Sequence, residues 1–377
     1  MRLPGASGLT PAVPCDTNGL VSHSRTDSMQ VGERKYSVRT GLLVFLAISV
    51  VSALVILFLT ADPGTWTGLR QMRPGFIALA CALMVAQWCF NAIRFKILVN
   101  SLGNDVSFTT SLKAFLTNIF LGAVTPSQTG GGPMQIFVLN RAGVPVSSAF
   151  AGCLMGAMLT VVCLVSSALT VLLSNPGLRS EFGPRMTGIL LSAVVVFGSL
   201  VLVFILSVTR TDMVKRLIGR VLLAVMRAFR IEKRMGFTKR VLGGVDQYRE
   251  SMSILARTRK YKIFVTLLIT MVAIATNALI APVLLSGLNI EYDLSTIYPA
   301  QFILFFVAYF GPTPGASGIA EFSNYWILTT LDIQPNMLGV YTVLWRFFTI
   351  FIGVTVGGLV ILSLIPRRKA VVKSDSV

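Results

Sequence analysis

Long apolar runs alternate with short polar segments, most of them basic, along nearly the whole chain. Runs near 41–60, 75–93, 146–174, 187–208, 263–286 and 337–365 each approach or exceed the roughly 20 residues a helix needs to cross a bilayer, and they predict six spans. Two further apolar stretches, 108–140 and 297–331, are interrupted by similar motifs, Thr125-Pro126-Ser127-Gln128-Thr129-Gly130 and Thr313-Pro314-Gly315-Ala316-Ser317-Gly318. Proline removes a backbone donor and glycine weakens a helix. Helix breakers at corresponding places in two apolar halves predict a central site of transporter type.

Composition agrees with this pattern. Hydrophobic residues make up 54% of the chain and charged residues 13%, with a mean hydropathy of +0.75, which is far from a soluble globular domain. The expected fold is all-α: a polytopic helical membrane protein with six spans plus two Pro/Gly-broken re-entrant hairpins related as an inverted repeat. One membrane domain is expected over 39–366. Residues 1–38, rich in Gly, Ser, Pro and Thr, predict a disordered cytoplasmic tail without the apolar centre of a signal peptide. Initiation at Met29 is the alternative reading of that segment. Residues 367–377 predict a second cytoplasmic tail.

Several chemistries are excluded by the residue inventory. Cys81, Cys89, Cys153 and Cys163 lie inside apolar runs, and Cys15 and the single histidine, His23, lie in the tail. That pattern supplies neither thiolate metal ligands, nor a histidine-based nucleophile system in the membrane body, nor a disulfide framework. No P-loop motif is present, and no cofactor or metal is expected.

Charge sets the predicted orientation. Arg34, Lys35 and Arg39 precede the first span, Arg94 and Lys96 follow the second, and Arg367, Arg368 and Lys369 follow the last. By the positive-inside rule both termini are cytoplasmic, and the expected location is the cell inner (plasma) membrane. The basic loop 209–262 holds fifteen Lys/Arg against four acidic residues, so eleven of the eighteen net positive charges lie there. Either it carries an interfacial helix on anionic lipid headgroups, with Val214, Leu217, Ile218, Val221, Leu222, Val225 and Phe229 at helical spacing, or it only sets topology. Nucleic-acid binding is not expected, because membrane electrostatics account for the charge.

Parity then makes 108–140 a hairpin entering from the cytoplasm and 297–331 one entering from the opposite face. Their tips would approach the midplane, where unpaired N–H groups and helix dipoles hold an anion. In the alternative, 108–124 is an ordinary crossing.

Ionisable residues inside apolar spans are functional candidates by default. Arg346 lies deep in the last span, and Glu321 closely follows the second tip. Either the two pair with each other, or Arg346 receives a lipid phosphate while Glu321 orients it or takes up a proton; a planar guanidinium suits phosphate because it binds two oxygens at once. Lys113, Arg94 and Arg141 are weaker cases, compatible with the lipid interface. Gln87, Asn91, Asn118, Gln128, Gln135, Asn277 and Asn324 add polar groups, for which helix–helix hydrogen bonding is the default role.

At Thr125 to Ile136, Arg141-Ala142-Gly143-Val144-Pro145, Pro312 to Gly318 with Glu321, and Arg346 before Gly353, the chain resembles the transmembrane region of lysylphosphatidylglycerol synthases and the stand-alone flippase-like proteins related to it. The resemblance covers roughly 40–365. It implies a bacterial or archaeal inner-membrane protein that moves or binds a phospholipid or other lipid-linked anionic substrate. The candidate substrate-binding residues are Arg346, Glu321, Thr125, Pro126, Gln128, Gly130, Gly131, Gln135, Arg141, Thr313, Pro314, Gly315 and Gly318, with no catalytic residue. Full-length synthases of that family carry a soluble lysyl-transferring domain, and the expectation here is of the membrane region without it. The alternatives are the membrane component of a lipid-modifying synthase that needs a separate catalytic subunit, and a non-transporting scaffold recruiting a partner through the basic loop.

Overall fold

The computed structural model describes residues 47, 51, 72–209, 260–331 and 335–364. The tails at 1–38 and 367–377, nearly all of the predicted first span at 41–60, and all but the edges of the basic loop 209–262 lie outside the described residues. No strand occurs among the described residues. The fold is all-α, as the apolar patterning predicts.

The elements run α1 (Pro74–Ser101), α2 (Phe108–Val124), a 3-10 turn (Pro126–Gln128), α3 (Gly131–Arg141), α4 (Val146–Ser174) and α5 (Pro176–Thr209). After the undescribed segment come α6 (Lys260–Ala278), α7 (Ile280–Gly287), α8 (Leu294–Tyr309), a second 3-10 turn (Pro314–Ala316), α9 (Ile319–Thr330), α10 (Pro335–Arg346), a π-helical turn (Phe347–Phe351) and α11 (Ile352–Leu364). Local chemistry sets the boundaries. Pro74 opens α1, where its missing N–H costs nothing. The Ser107 hydroxyl and the Asp293 carboxylate cap α2 and α8 by accepting from Thr110 N and Ser295 N. Thr125 and Thr313 are extended because a proline follows each, and that ends the first arm of each hairpin.

Among the described residues, four helical stretches are long and apolar enough to cross a membrane: Pro74–Ser101, Val146–Ser174, Lys260–Gly287 and Met337–Leu364. They coincide with four of the six predicted spans. A fifth, 187–208, falls in α5, which is broken at Gly183 (φ 69°) and Pro184 before its apolar part. α1 runs two turns past the predicted end of its span, to Ser101, and this changes where Arg94 sits. Large apolar side chains such as Leu79, Val85, Phe264, Leu268 and Leu359 are exposed on these helices, as lipid-facing surface requires.

The described helices form two equivalent runs: a long helix, a broken hairpin and another long helix. α1 and α6 start 186 positions apart, α2 and α8 also 186, the tip prolines Pro126 and Pro314 are 188 apart, and α4 and α10 start 189 apart. Hairpin arms match in length, 17 and 11 residues in the first and 16 and 12 in the second. The chain is therefore an internal repeat.

The two halves interlock. α2 packs along α11 and α8 along α4, so the first arm of each hairpin lies against the last helix of the other half, while α1 and α6 pack together between them. The α2–α11 approach depends on Gly357, where a Cβ would stand 2.2 Å from the Leu116 carbonyl oxygen. Packing of small residues is the usual means by which membrane helices come this close. A core of Ile280, Leu284, Leu304, Leu328, Leu338 and Tyr341 fills the second half.

Candidate functional site between the hairpin tips

The two tips share a backbone conformation. Ser127 and Gln128 have φ of 50° and 55°, and Gly315 and Ala316, 188 positions on, have φ of 57° and 53°. Left-handed geometry at three non-glycine positions is strained, and such strain persists where surrounding structure enforces it. Hydrogen bonds repeat as well. Gln128 N donates to Thr125 O and Thr129 N to Pro126 O, just as Ala316 N donates to Thr313 O and Ser317 N to Pro314 O.

At the next residue the tips diverge. Gly130 N donates to the Thr125 hydroxyl at 2.8 Å, whereas its counterpart Gly318 N donates to Glu321 Oε2 at 2.8 Å. Gln128, Thr129, Gly130, Ala316, Ser317 and Gly318 thus have their amides satisfied inside the tips. The expectation of unpaired tip N–H groups does not hold at these six positions, because each short 3-10 turn closes its own hydrogen bonds.

Glu321 and Arg346 pair. Arg346 Nε donates to Glu321 Oε1 at 2.8 Å and Nη2 to the Gly315 carbonyl at 3.0 Å, with Glu321 0% and Arg346 4% exposed. One carboxylate and one guanidinium therefore hold both ends of the second tip, at Gly315 and Gly318. Of the two readings the sequence left open for these residues, mutual pairing is the observed geometry. A π-helical turn follows Arg346 directly; such bulges recur at functional sites.

The tips touch each other, and a cavity of about 450 Å³ opens beside them, between α1, α2, α3, α4, α6, α8 and α10. Among the sequence-predicted residues, Gln128, Gln135, Gly315 and Arg346 line it. Thr125, Gly130, Gly131, Thr313, Pro314, Gly318 and Glu321 are not part of its lining, and Pro126 is exposed at the first turn. Gly131 is needed for contact, since a Cβ there would lie 2.5 Å from Asn118 Nδ2. Arg141 stands apart: it is exposed, donates to the Leu364 carbonyl, and lies over the Phe137 ring at 5.6 Å. Lys113 is exposed.

Arg94 is the residue whose position the sequence conceals. It lines the cavity, and its Nη1 donates to Thr160 Oγ1 and to Thr270 Oγ1, both at 3.0 Å. Thr160 and Thr270 stand near the middles of α4 and α6. Each threonine hydroxyl donates its proton back to a carbonyl one turn earlier, Gly156 O and Thr266 O, and so presents a lone pair to the guanidinium. Arg94 is thereby oriented without being neutralised, and among the described residues it has no ion-pair partner.

Of the seven carboxamides noted in the sequence, six line the cavity: Gln87, Asn91, Asn118, Gln128, Gln135 and Asn277. Asn324 instead lies in the packed core near the Tyr341 hydroxyl. The default of helix–helix hydrogen bonding gives way to a cavity wall. Asn91, for one, donates within its own helix, to Gln87 O.

Fold and site define a polytopic helical membrane protein with an internal repeat whose broken hairpins meet at a polar cavity. The chain belongs to the lysylphosphatidylglycerol synthase TM region family, whose profile matches residues 42–357. It is similar to a UPF0104 membrane protein of Archaeoglobus fulgidus, 28% identical over 320 residues that cover 85% of this chain and 94% of that protein. A UPF0104 membrane protein of Methanothermobacter thermautotrophicus is 29% identical over 114 residues, 30% of this chain and 32% of that one.

Proposed function

We propose that the cavity receives the headgroup phosphate of an anionic phospholipid or lipid-linked molecule and lets it pass between leaflets while the acyl chains stay in the bilayer. The observation carrying this reading is Arg94. A guanidinium inside a helical membrane bundle costs on the order of 3 kcal/mol even on the mildest scales, and here no carboxylate offsets it among the described residues. An anionic ligand would. Arg346 contributes a second donor at the second tip, with its charge balanced by Glu321, whose primary work is to hold that tip.

In this reading the hairpins are re-entrant and α1, α4 and α5 cross the bilayer. Three crossings then separate equivalent elements, so the halves have opposite orientation, as alternating access through a midplane site requires. The positive-inside rule puts both termini on the cytoplasmic face of the inner membrane, with the basic loop on anionic headgroups. Substrate movement is driven by its own gradient, an ion gradient or a partner.

The test is translocation of labelled anionic lipid in proteoliposomes of the purified full chain. Arg94→Gln is expected to lower the rate at least about tenfold, a loss of roughly 1.4 kcal/mol, while Lys113→Gln, a charge change on an exposed site, leaves it unchanged. Equal rates for wild type and Arg94→Gln would overturn the proposal.

A further inference from the structure

Resting on that reading of the cavity, the charge and donor pattern of its wall points to the substrate class. We infer that the cavity selects phosphodiester lipids with an uncharged polyol or sugar headgroup and disfavours aminoacylated, cationic headgroups such as lysyl-phosphatidylglycerol. Three features of the wall argue for this.

First, no Asp or Glu lines the cavity among the described residues. Glu321, which pairs with the lining residue Arg346, has both oxygens engaged, one by Arg346 and one by Gly318 N. An ammonium group would find no anionic partner and would share a low-dielectric space with the unneutralised Arg94, where like charges repel most strongly.

Second, six carboxamides, Gln87, Asn91, Asn118, Gln128, Gln135 and Asn277, line the same space. Each carries a carbonyl acceptor and an NH₂ donor, which matches a hydroxyl, itself donor and acceptor at once. A row of vicinal hydroxyls is the ligand best served by such a wall. A site built to hydrogen-bond hydroxyls also discriminates strongly against a ligand lacking them, because its own polar groups are then left unpaired.

Third, Trp88, Trp345 and Tyr309 are part of the lining. Rigid aromatic faces beside amides give the C–H faces of a polyol or sugar ring apolar surface to lie on. Trp88 and Trp345 also supply an intrinsic fluorescence probe in the cavity.

The experiment measures binding of short-chain phosphatidylinositol, phosphatidylglycerol, phosphatidic acid, phosphatidylcholine and lysyl-phosphatidylglycerol to the purified full chain, by tryptophan fluorescence and by ligand-dependent thermal shift. The inositol and glycerol lipids are expected to bind at least about tenfold more tightly than the lysyl lipid, a difference of roughly 1.4 kcal/mol. Gln135→Glu supplies the missing carboxylate and is expected to narrow or reverse that ratio, a gain that misfolding cannot imitate. Gln128→Leu is expected to lower affinity for the inositol lipid more than for phosphatidic acid. Tighter binding of the lysyl lipid by wild type, or an unchanged ratio in Gln135→Glu, overturns the inference. If anionic lipids bind and move without headgroup preference, the lipid-carrier reading stands and this selectivity falls. If no lipid binds, both fall.

Discussion

Severing the Glu321–Arg346 pair tests how the second tip is held. In Glu321→Ala the Arg346 guanidinium keeps only the Gly315 carbonyl, and the Gly318 amide loses its acceptor. Removing one partner of a buried ion pair costs about 3–5 kcal/mol, because an uncompensated charge remains. The stranded amide adds about 1–3 kcal/mol at most, partly overlapping the first figure, since both losses relax the same turn. Arg346→Met should cost less than Glu321→Ala, because the remaining Glu321 carboxylate still accepts from Gly318 N. The double variant Glu321→Gln/Arg346→Met removes both charges and keeps an acceptor for Gly318. It is expected to recover more than half of the Glu321→Ala loss, as neutral replacements of buried pairs commonly do. The assay is thermal unfolding of purified protein in detergent, arranged as a double-mutant cycle over Glu321→Gln, Arg346→Met and the pair, with Glu321→Ala alongside. A coupling of at least about 1–2 kcal/mol is expected for groups in direct contact. Additive single effects, or a Glu321→Ala loss below about 1 kcal/mol, would refute the claim that the pair closes the tip.

Two further perturbations probe the scaffold. Gly357→Ala places a methyl group 2.2 Å from the Leu116 carbonyl, so α11 and α2 must separate, and a loss of about 1–3 kcal/mol is expected in the same melts; unchanged stability would mean that the helices do not pack this closely. Asp293, exposed at the head of α8, accepts from the Ser295 and Thr296 hydroxyls and from Ser295 N, and these bonds hold its pKa below the ordinary carboxylate value. A depressed folded-state pKa means stability that is present above the unfolded value of about 3.9 and is lost as pH falls through the folded one. Asp293→Ala should therefore melt below wild type at pH 7, with the gap closing under acid; a gap independent of pH would sink that assignment.

Local pattern along the chain establishes the class of protein and the places where its helices break. Apolar run length, basic flanks and the Pro/Gly punctuation are local signals with local physical causes, since bilayer thickness sets span length and a proline forces the residue before it out of the helix. The hairpin tips were legible for that reason. So was the choice between two roles for Arg346 and Glu321, 25 positions apart, although not its outcome. Which arginine faces the cavity without an ion-pair partner among the described residues follows from the fold alone. Arg94 followed an apolar run and looked interfacial because residues 94–101 are more polar, yet α1 continues through them, and its partners Thr160 and Thr270 are 66 and 176 positions away. The carboxamides likewise read as scattered helix-to-helix glue until the interlocking of the two halves gathered six of them on one wall. Periodicity reports which face of a helix is polar, but which polar faces meet depends on contacts between distant segments, and these no local pattern encodes.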